Sequence, residues 1–311
     1  MQKNKLEQIL GKGRIKENFN LSPYLTLRTK TVAQYYFEAE SKEDLIKAKK
    51  VSLELRIPFM IIGGGSNLAV LKSNLSGLVI RNKYMSKKIE KKDGNYLVTV
   101  SSGYPTTKLA KELSDEGYLG LEYQIGLPGT VGGALYMNSK WTKPLSYIGD
   151  RLVSASLLDI NGKEKKVDQP YFNFAYDQSI LQRTNEVVLE ATFKLEKVDP
   201  AVTKKHAQFA LDYRRLTQPH GVFCSGCFFR NISQQDKLRL KVHTTSAGNL
   251  IDKAGLKGRK IGKYHVSEKH ANFIINDGNG NPQDLKNLLR LIKDSVYKKF
   301  GVKLEEEVII M

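Results

Sequence analysis

A short apolar run passes directly into three consecutive glycines in the segment PFMIIGGGSN, residues 58–67. The bulky apolar residues predict a buried strand, and the glycines predict a loop whose backbone can approach a ligand closely. Amide groups in such a loop can bind an anion, to which the serine and asparagine add side-chain hydrogen bonds. Because the spacing matches neither a Walker loop nor a dinucleotide fingerprint, a plain tight turn stays open as the alternative to a phosphate-binding loop.

A second glycine-rich loop, GLPGTVGG, occupies residues 126–133. Two such loops in one domain suit a long diphosphate ligand that is bound from two sides. We therefore favour a phosphate-binding role for both loops over two unrelated turns. The candidate binding residues in the loops are Gly63, Gly64, Gly65, Ser66, Asn67, Gly126, Pro128, Gly129, Thr130, Gly132 and Gly133.

Helix-like and strand-like segments alternate around these loops. A serine followed by acids predicts a helix over 41–55, and an asparagine–proline start predicts another from 281 to about 300. Asn161-Gly162 predicts a two-residue hairpin turn. The mixture of elements predicts an α+β ligand-binding enzyme. The other predicted helices are 106–116 and 201–215, and the predicted strands are 58–62, 77–80, 96–100, 153–160, 187–195, 271–276 and 304–310.

The composition of the 311 residues, 41% hydrophobic and 26% charged, allows the chain to bury a sizeable core. Fifty Lys and Arg against 32 Asp and Glu give a net charge of +18, which raises the question of a nucleic-acid partner. The lysines are spread along the chain without a nucleic-acid-binding motif, so we interpret the charge as a lysine-rich solvated surface. Because the sequence has neither a run of about 18 apolar residues nor a signal-peptide pattern, we expect a cytoplasmic protein.

The two cysteines, Cys224 and Cys227, form a C-x-x-C pair. Such a pair can be a dithiol redox centre, but a thioredoxin-like pair opens a helix, whereas this one precedes two phenylalanines. A zinc site would need further ligands, and the spacing of His220 and His243 matches no standard site. One working thiol and two inert thiols are the other interpretations, and the spacing leaves all four open.

The acidic run Glu305-Glu306-Glu307 lies within the predicted strand 304–310. Because successive side chains of a strand point to opposite faces, we expect one or two of these carboxylates to face inward. A buried carboxylate would suit acid–base chemistry or charge stabilisation.

Five separated motifs, in order along the chain, resemble the UDP-N-acetylenolpyruvoylglucosamine reductases, which are FAD enzymes of peptidoglycan precursor synthesis. The resemblance runs from about residue 21 to residue 308. Its most specific pieces are GGSNL (64–68), GLEYQIGLPGTVGG (120–133) with Asn138, SAGNLIDKAGLKG (246–258), VSEKHANF (266–273) and GVKLEEEV (301–308).

The resemblance implies an α+β fold in which an FAD-binding domain of the PCMH type (vanillyl-alcohol-oxidase-like) has two lobes and is followed by an α+β substrate-binding domain. The implied boundaries are an N-terminal extension over 1–20, the FAD-binding domain over 21–198, with lobes at about 21–75 and 76–198, and the substrate-binding domain over 199–311.

The implied activity is the NADPH-dependent reduction of UDP-N-acetylglucosamine enolpyruvate to UDP-N-acetylmuramate, a ping-pong reaction of cell-wall synthesis. FAD is the implied cofactor and NADPH the co-substrate, without a metal. The implied partners are the UDP-sugar and NADPH, with no nucleic acid and no membrane insertion, and we expect a monomer.

The resemblance also assigns site residues. Cys227 matches the catalytic proton donor and Glu307 the catalytic glutamate that stabilises or protonates the enol. Leu68 and Asn138 join the FAD-binding set. The implied substrate-binding residues are Tyr176, Arg230, Asn231 and His270.

The chain departs from the family pattern where it matters for the reaction. Asp177 stands where an arginine is usual, and Lys140-Trp141-Thr142-Lys143 replaces a Gly-Ala-Tyr-Gly-like run. A carboxylate at that position should repel an anionic intermediate, so an active enzyme needs another cation. The candidates are Arg230, Lys263 and Arg183. The alternative is a catalytically impaired or repurposed FAD-binding relative.

Overall fold

The computed structural model describes residues 2–311 and divides the chain into two compact units. The first unit holds the residues up to Phe19 together with 34–64 and 76–214. The second holds 20–33, 65–75 and 215–311. Each unit is therefore discontinuous in sequence, whereas the implied domains are continuous segments.

The α-helices of the described residues are α1 (Gln2–Leu10), α2 (Lys42–Glu54), α3 (Thr106–Asp115), α4 (Val131–Met137), α5 (Leu181–Thr184), α6 (Pro200–Thr217), α7 (Gln234–Arg239), α8 (Ala247–Lys253) and α9 (Pro282–Phe300). The four long predicted helices correspond to α2, α3, α6 and α9 and are confirmed within a few residues at each end.

The strands of the described residues are β1 (Lys16–Asn20), β2 (Val32–Ala39), β3 (Phe59–Ile62), β4 (Leu68–Ala69), β5 (Asn74–Asn82), β6 (Lys87–Lys92), β7 (Asn95–Ser101), β8 (Tyr118–Leu119), β9 (Lys140–Thr142), β10 (Leu145–Tyr147), β11 (Leu152–Leu158), β12 (Glu164–Asp168), β13 (Val187–Lys197), β14 (Phe223–Cys227), β15 (Lys260–Ile261), β16 (Tyr264–Val266), β17 (Phe273–Asn276) and β18 (Ile309–Ile310).

Local capping chemistry explains where two helices begin. The Ser41 hydroxyl accepts a hydrogen bond from the Asp44 amide at the start of α2, at 3.1 Å. The Asn281 side chain accepts one from the Gln283 amide at the start of α9, at 2.8 Å. Such caps satisfy amides that have no partner inside the helix. Gly301, with φ 66°, ends α9 in the left-handed conformation that suits glycine.

The largest sheet of the first unit has the strand order β12-β11-β13-β7-β6, and β8 also pairs with β13. Its pairings are antiparallel. The predicted two-residue turn at Asn161-Gly162 is wrong, because β11 and β12 pair last at Leu158 and Glu164. The Asp159 carboxylate instead organises a longer loop by accepting from the amides of Asn161 and Lys163, at 2.9 and 2.8 Å. Aspartate side chains commonly stabilise turns in this way, by accepting hydrogen bonds from backbone amides a few residues later.

A second sheet of the first unit has the order β1-β2-β5-β3, and β3 runs parallel to β5. The apolar faces of α1 and α2 share a core with residues of β2 and β5, and Leu6 and Leu10 of α1 are buried in it. The implied N-terminal extension therefore contributes to the core of this unit. A further core lies between the largest sheet, α3 and α4.

The second unit is built on the antiparallel sheet β14-β17-β16-β15, with α8 and α9 supplying much of its core. The predicted strand 304–310 is wrong over most of its length, since only Ile309–Ile310 is a strand, parallel to β4. In the acidic run before it, Glu306 forms an isolated bridge with Phe229, which follows β14. The alternation of buried and exposed residues up to Glu305 therefore ends at Glu306.

Candidate active site

The two glycine-rich loops approach each other within the first unit. A Cβ atom on Gly63 would lie 2.3 Å from Thr130 Oγ1, and one on Gly64 would lie 2.7 Å from Gly129 Cα. Real Cβ atoms do not come so close to a backbone atom, so glycine is needed for this contact. The two loops are separate motifs in the sequence, and in the structure Gly63 and Gly64 of the first loop contact Gly129 and Thr130 of the second.

Backbone hydrogen bonds to the segment after β7 hold the second glycine-rich loop in place. The amides of Val131 and Gly132 donate to the carbonyls of Tyr104 and Ser102, at 2.9 and 2.8 Å. Gly133 differs, because a Cβ atom placed on it would meet only Thr130 Oγ1, at 3.8 Å. Backbone hydrogen bonds therefore hold the loop at Val131 and Gly132, whereas the space next to Gly133 is open.

The continuation of the first loop, from Gly65 onward, belongs to the second unit. Gly65 has φ 63°, and its carbonyl accepts hydrogen bonds from the Thr26 amide and hydroxyl at 3.1 and 3.2 Å. Asn67 Nδ2 donates to the Glu307 carbonyl at 3.4 Å. The Leu68 carbonyl accepts from Ser225 Oγ at 2.9 Å. The loop is thus tied to both segments that carry predicted catalytic residues.

A buried guanidinium lies beside the second glycine-rich loop, at Arg214 of α6. Its Nε and Nη2 are buried, and no acceptor among residues 2–311 lies within hydrogen-bond distance of them. The guanidinium stacks over Trp141 at 5.0 Å, and burial lowers the Arg214 pKa to about 10. A Cβ atom on Gly126 would lie 3.1 Å from Arg214 Cδ. Buried donors without a partner are costly, so this site suits an anionic ligand.

Arg214 was missed by the sequence reasoning. It lies near the end of a helix that already contains several Lys and Arg residues, so no local signal distinguishes it. Arg214 is distinguished only by the packing of α6 beside the second glycine-rich loop.

Asn138, assigned to FAD binding by the resemblance, ends α4 in the left-handed conformation, with φ 47°. Its Nδ2 donates to the Ala175 carbonyl at 3.0 Å, and its Oδ1 accepts from the Gly149 amide at 3.3 Å. The side chain therefore links α4, which starts in the second glycine-rich loop, to the segment before Tyr176.

We call residues 174–179 the tyrosine loop. Tyr176 is 38% exposed, whereas the neighbouring Asp177 is buried and has φ 52°. Lys140 Nζ lies 2.5 and 2.6 Å from the two Asp177 carboxylate oxygens and 3.8 Å from the centre of the Tyr176 ring. The partner of Asp177 is thus Lys140, which the sequence marks only as part of the run that departs from the family pattern. The side chains of Arg183 and Lys263, two of the predicted substitute cations, are exposed in their own units.

The cysteine strand, β14, carries both thiols of the second unit, and neither is in a disulfide. Cys224 pairs with Ile275 and Cys227 with Phe273, so the strand contains a bulge between them. Such a bulge redirects side chains next to it. Burial raises the pKa of the Cys224 thiol, which keeps this residue protonated and suits a packing role.

The segment after the cysteine strand lies against the acidic run. The Glu307 amide donates to the Phe228 carbonyl at 2.8 Å, and the Arg230 amide donates to the Glu305 carbonyl at 2.9 Å. Cys227, Arg230 and Glu307 are therefore brought together by neighbouring backbone segments of one unit. Glu305 is exposed, Glu306 pairs with Lys293 at 2.9 Å, and Glu307 is half-buried.

Three predicted substrate-binding residues lie in the second unit. Arg230 has a buried Nε without an acceptor among the described residues, and Asn231 is exposed. His270 is half-buried, and its Nδ1 accepts from the Asn272 amide at 3.3 Å. Burial lowers the His270 pKa, which favours the neutral ring. Because Nδ1 accepts a hydrogen bond, the proton of the neutral ring is on Nε2.

Metal ligation and a membrane span are two further features that the described residues can be examined for by their chemistry and length alone, and neither is present among them. Residues 2–311 contain no group of three or more His, Cys, Asp or Glu side chains that could hold a metal ion. No helix within the same range combines the length and the apolar character needed to cross a membrane.

Comparison with known proteins relates this chain to a family. The family model for the C-terminal domain of UDP-N-acetylenolpyruvoylglucosamine reductase matches residues 218–311, and an FAD binding domain model matches residues 33–168. The UDP-N-acetylenolpyruvoylglucosamine reductase of Chlamydia trachomatis serovar L2 is 35% identical, with 96% of each chain covered. That of Anoxybacillus flavithermus is 34% identical, with 96% of this chain and 95% of the relative covered.

A solved structure agrees with these matches. The UDP-N-acetylenolpyruvylglucosamine reductase from Thermus caldophilus superposes with a TM-score of 0.76 at 26% identity, covering 96% of this chain and 98% of the other. The resemblance and the expected α+β FAD-binding fold are thereby confirmed. The chain therefore belongs to the UDP-N-acetylenolpyruvoylglucosamine reductase family.

Proposed function

We propose that this chain is an FAD-dependent oxidoreductase that uses NADPH to reduce UDP-N-acetylglucosamine enolpyruvate to UDP-N-acetylmuramate, a step of peptidoglycan precursor synthesis. The observation that carries the proposal is the contact of the two glycine-rich loops beside a buried guanidinium, in a chain of this reductase family. Both features suit a diphosphate-containing cofactor.

The residues present fit FAD. Arg214 has buried donors without a partner among residues 2–311, and Gly133 leaves open the space that a side chain would fill. In our proposal the glycine-rich loops and Arg214 would hold the diphosphate, and Leu68 and Asn138 belong to the same set of FAD-binding residues. Bound FAD supplies the redox chemistry, carrying a hydride from NADPH to the enolpyruvyl group.

The chain's own residues must supply the proton. The reaction adds a hydride and a proton across the enolpyruvyl double bond, so a proton donor has to reach the carbon that becomes the stereocentre. We assign this donor to Cys227, because it matches the family's catalytic proton donor and a thiol can act as a general acid. The thiolate is then reprotonated from solvent.

Glu307 takes the second catalytic role in the proposal. Its backbone is hydrogen-bonded to Phe228, the residue after Cys227, so the carboxylate and the thiol are held on adjacent segments. A carboxylic acid there can donate a hydrogen bond to the enolic oxygen as negative charge develops. Tyr176, Arg230, Asn231 and His270 are assigned to substrate binding.

Further parts of the proposal concern organisation and location. We infer a monomer that works in the cytoplasm, with an FAD-binding domain over 21–198 and a substrate-binding domain over 199–311. Sedimentation of the holoprotein tests the first point: a mass near that of one chain is expected at micromolar concentration.

Two anaerobic half-reactions test the function. The purified protein should be yellow, NADPH should bleach the flavin absorbance in a stopped-flow instrument, and the enolpyruvyl sugar nucleotide should restore it with formation of UDP-N-acetylmuramate. A protein that neither retains nor takes up FAD would refute the proposal. Flavin reduction without any reoxidation by the sugar nucleotide would favour the second candidate, a repurposed relative, for which the replacement of arginine by Asp177 is the specific observation.

A further inference from the structure

The tyrosine loop carries a charge pair that the proposed function leaves unused. Lys140 belongs to β9 and Asp177 to the loop, and the ammonium contacts both carboxylate oxygens, at 2.5 and 2.6 Å. Their side chains are only 15% and 6% exposed. An ion pair with so little exposure is screened weakly by water and salt, so its charges act on neighbouring groups more strongly than a surface pair would.

The pair is coupled directly to Tyr176. Lys140 Nζ lies 3.8 Å from the centre of the Tyr176 ring, a short cation–π contact, while 38% of this tyrosine remains exposed. The ammonium therefore contacts the tyrosine that the proposed function assigns to the sugar nucleotide, and the same ammonium neutralises the carboxylate next to it.

The loop around the pair is rigid. Gln182 Nε2 donates to the Asp177 carbonyl at 3.0 Å, Ser179 Oγ donates to the Tyr136 carbonyl at 2.7 Å, and Asn138 Nδ2 holds the Ala175 carbonyl. These bonds attach the loop to α5 through Gln182 and to the end of α4 through Tyr136 and Asn138. None of these three hydrogen bonds uses the Lys140 ammonium or the Asp177 carboxylate, so they remain available when either charge is removed.

We propose that Lys140 and Asp177 act as one charge-balanced pair that sets the electrostatic potential at Tyr176, and thereby determines the affinity for the anionic sugar nucleotide. The inference rests on the proposed function. It explains how a carboxylate can occupy this loop in an enzyme for a substrate that carries a carboxylate and a diphosphate, since Lys140 cancels the repulsion that Asp177 alone would exert.

A charge series tests the inference. Lys140→Met gives the pair a net charge of −1, Asp177→Asn gives +1, and the double variant Lys140→Met/Asp177→Asn returns it to zero. The dissociation constant of UDP-N-acetylglucosamine enolpyruvate is measured by calorimetry on the oxidised holoprotein. We expect it to rise about 5- to 10-fold in Lys140→Met, to fall by about the same factor in Asp177→Asn and to return to near the wild-type value in the double variant.

Lys140→Arg is the conservative control and should bind like the wild type. Lys140→Met leaves a buried carboxylate unpaired, so its thermal unfolding is recorded alongside, and the double variant keeps the test valid if the single one does not fold. A double variant that binds as poorly as Lys140→Met would overturn the inference, because Lys140 would then bind substrate by itself. Equal affinities across the series would overturn it as well.

Failure of the inference is distinguishable from failure of the function. If the wild type binds and reduces the sugar nucleotide but the series is flat, only the role of the pair is lost. If the wild type neither binds nor reduces it, the proposed function itself is lost.

Discussion

The tyrosine loop and the cysteine strand satisfy their polar groups in opposite ways. In the tyrosine loop, Asp177 is paired with Lys140 and the Ala175 carbonyl with Asn138, all inside the first unit. After the cysteine strand, in the second unit, Arg230 keeps a buried Nε without an acceptor among the described residues, and Asn231 is exposed. The difference indicates that the first region is a preformed platform, whereas the second holds groups that gain their partners only with a ligand.

The largest expected effect separates the two thiols of the cysteine strand. Cys227→Ala should slow the reoxidation of reduced flavin by the sugar nucleotide by a factor on the order of 10² or more, because a positioned acid is lost. Flavin reduction by NADPH should stay near normal. Cys224→Ala is the matched control and should leave both half-reactions close to wild type in the stopped-flow assay. The reverse pattern would assign the chemistry to Cys224.

Two glycine substitutions distinguish a structural contact from a ligand contact in the first unit. Gly64→Ala places a Cβ 2.7 Å from Gly129 Cα, so it should destabilise the apoprotein by about 1–3 kcal/mol in urea unfolding. Gly133→Ala meets only Thr130 Oγ1 at 3.8 Å, so the apoprotein should remain as stable as the wild type. If the diphosphate lies at Gly133, FAD affinity should nevertheless fall, as measured by flavin fluorescence. Unchanged affinity in Gly133→Ala would move the cofactor away from this position.

A second internally paired carboxylate of the first unit provides a smaller test of the platform. Glu186 is buried, which raises its pKa, but hydrogen bonds from Lys165 and Tyr171, at 2.5 and 2.7 Å, outweigh burial and lower it. A lowered folded-state pKa means that the pair stabilises the protein above about pH 4.5 and that this stabilisation is lost as the pH falls through the folded-state pKa. Glu186→Gln should cost roughly 2 kcal/mol at pH 7, and this cost should shrink progressively as the pH falls below 4.5. A cost independent of pH would show that packing, not charge, holds Glu186.

The smallest effect concerns His270 in the second unit. Because burial lowers its pKa, the unfolded chain takes up the proton more readily than the folded one. Stability should therefore be fully present above about pH 6.5 and decline as the pH falls toward the folded-state pKa. In denaturant unfolding, the wild type should lose more stability than His270→Gln between pH 7.5 and pH 5.5. Parallel losses in the two proteins would mean that His270 titrates as an exposed histidine does.

Local sequence was sufficient for the elements whose signals lie within a few residues. Ser41 and Asn281 cap the helices that they predict, and the apolar run before Gly63 is the strand that it predicts. The motifs that carry the family resemblance also depend on local identity, so they predict FAD binding without knowledge of the fold. A dipeptide such as Asn161-Gly162 is a weaker signal for the type of turn. Here the hydrogen bonds accepted by the neighbouring Asp159 side chain determine the turn instead.

Tertiary structure alone decided which distant groups meet. Lys140 and Asp177 lie far apart in sequence, so no spacing rule pairs them, and Arg214 becomes significant only because α6 packs beside the second glycine-rich loop. The physical reason is that caps and strands depend on interactions between near neighbours, whereas burial makes each charge depend on whatever the fold places next to it. The sequence by itself determined the family and the cofactor class of this protein, and only the tertiary structure decided how its buried charges are balanced.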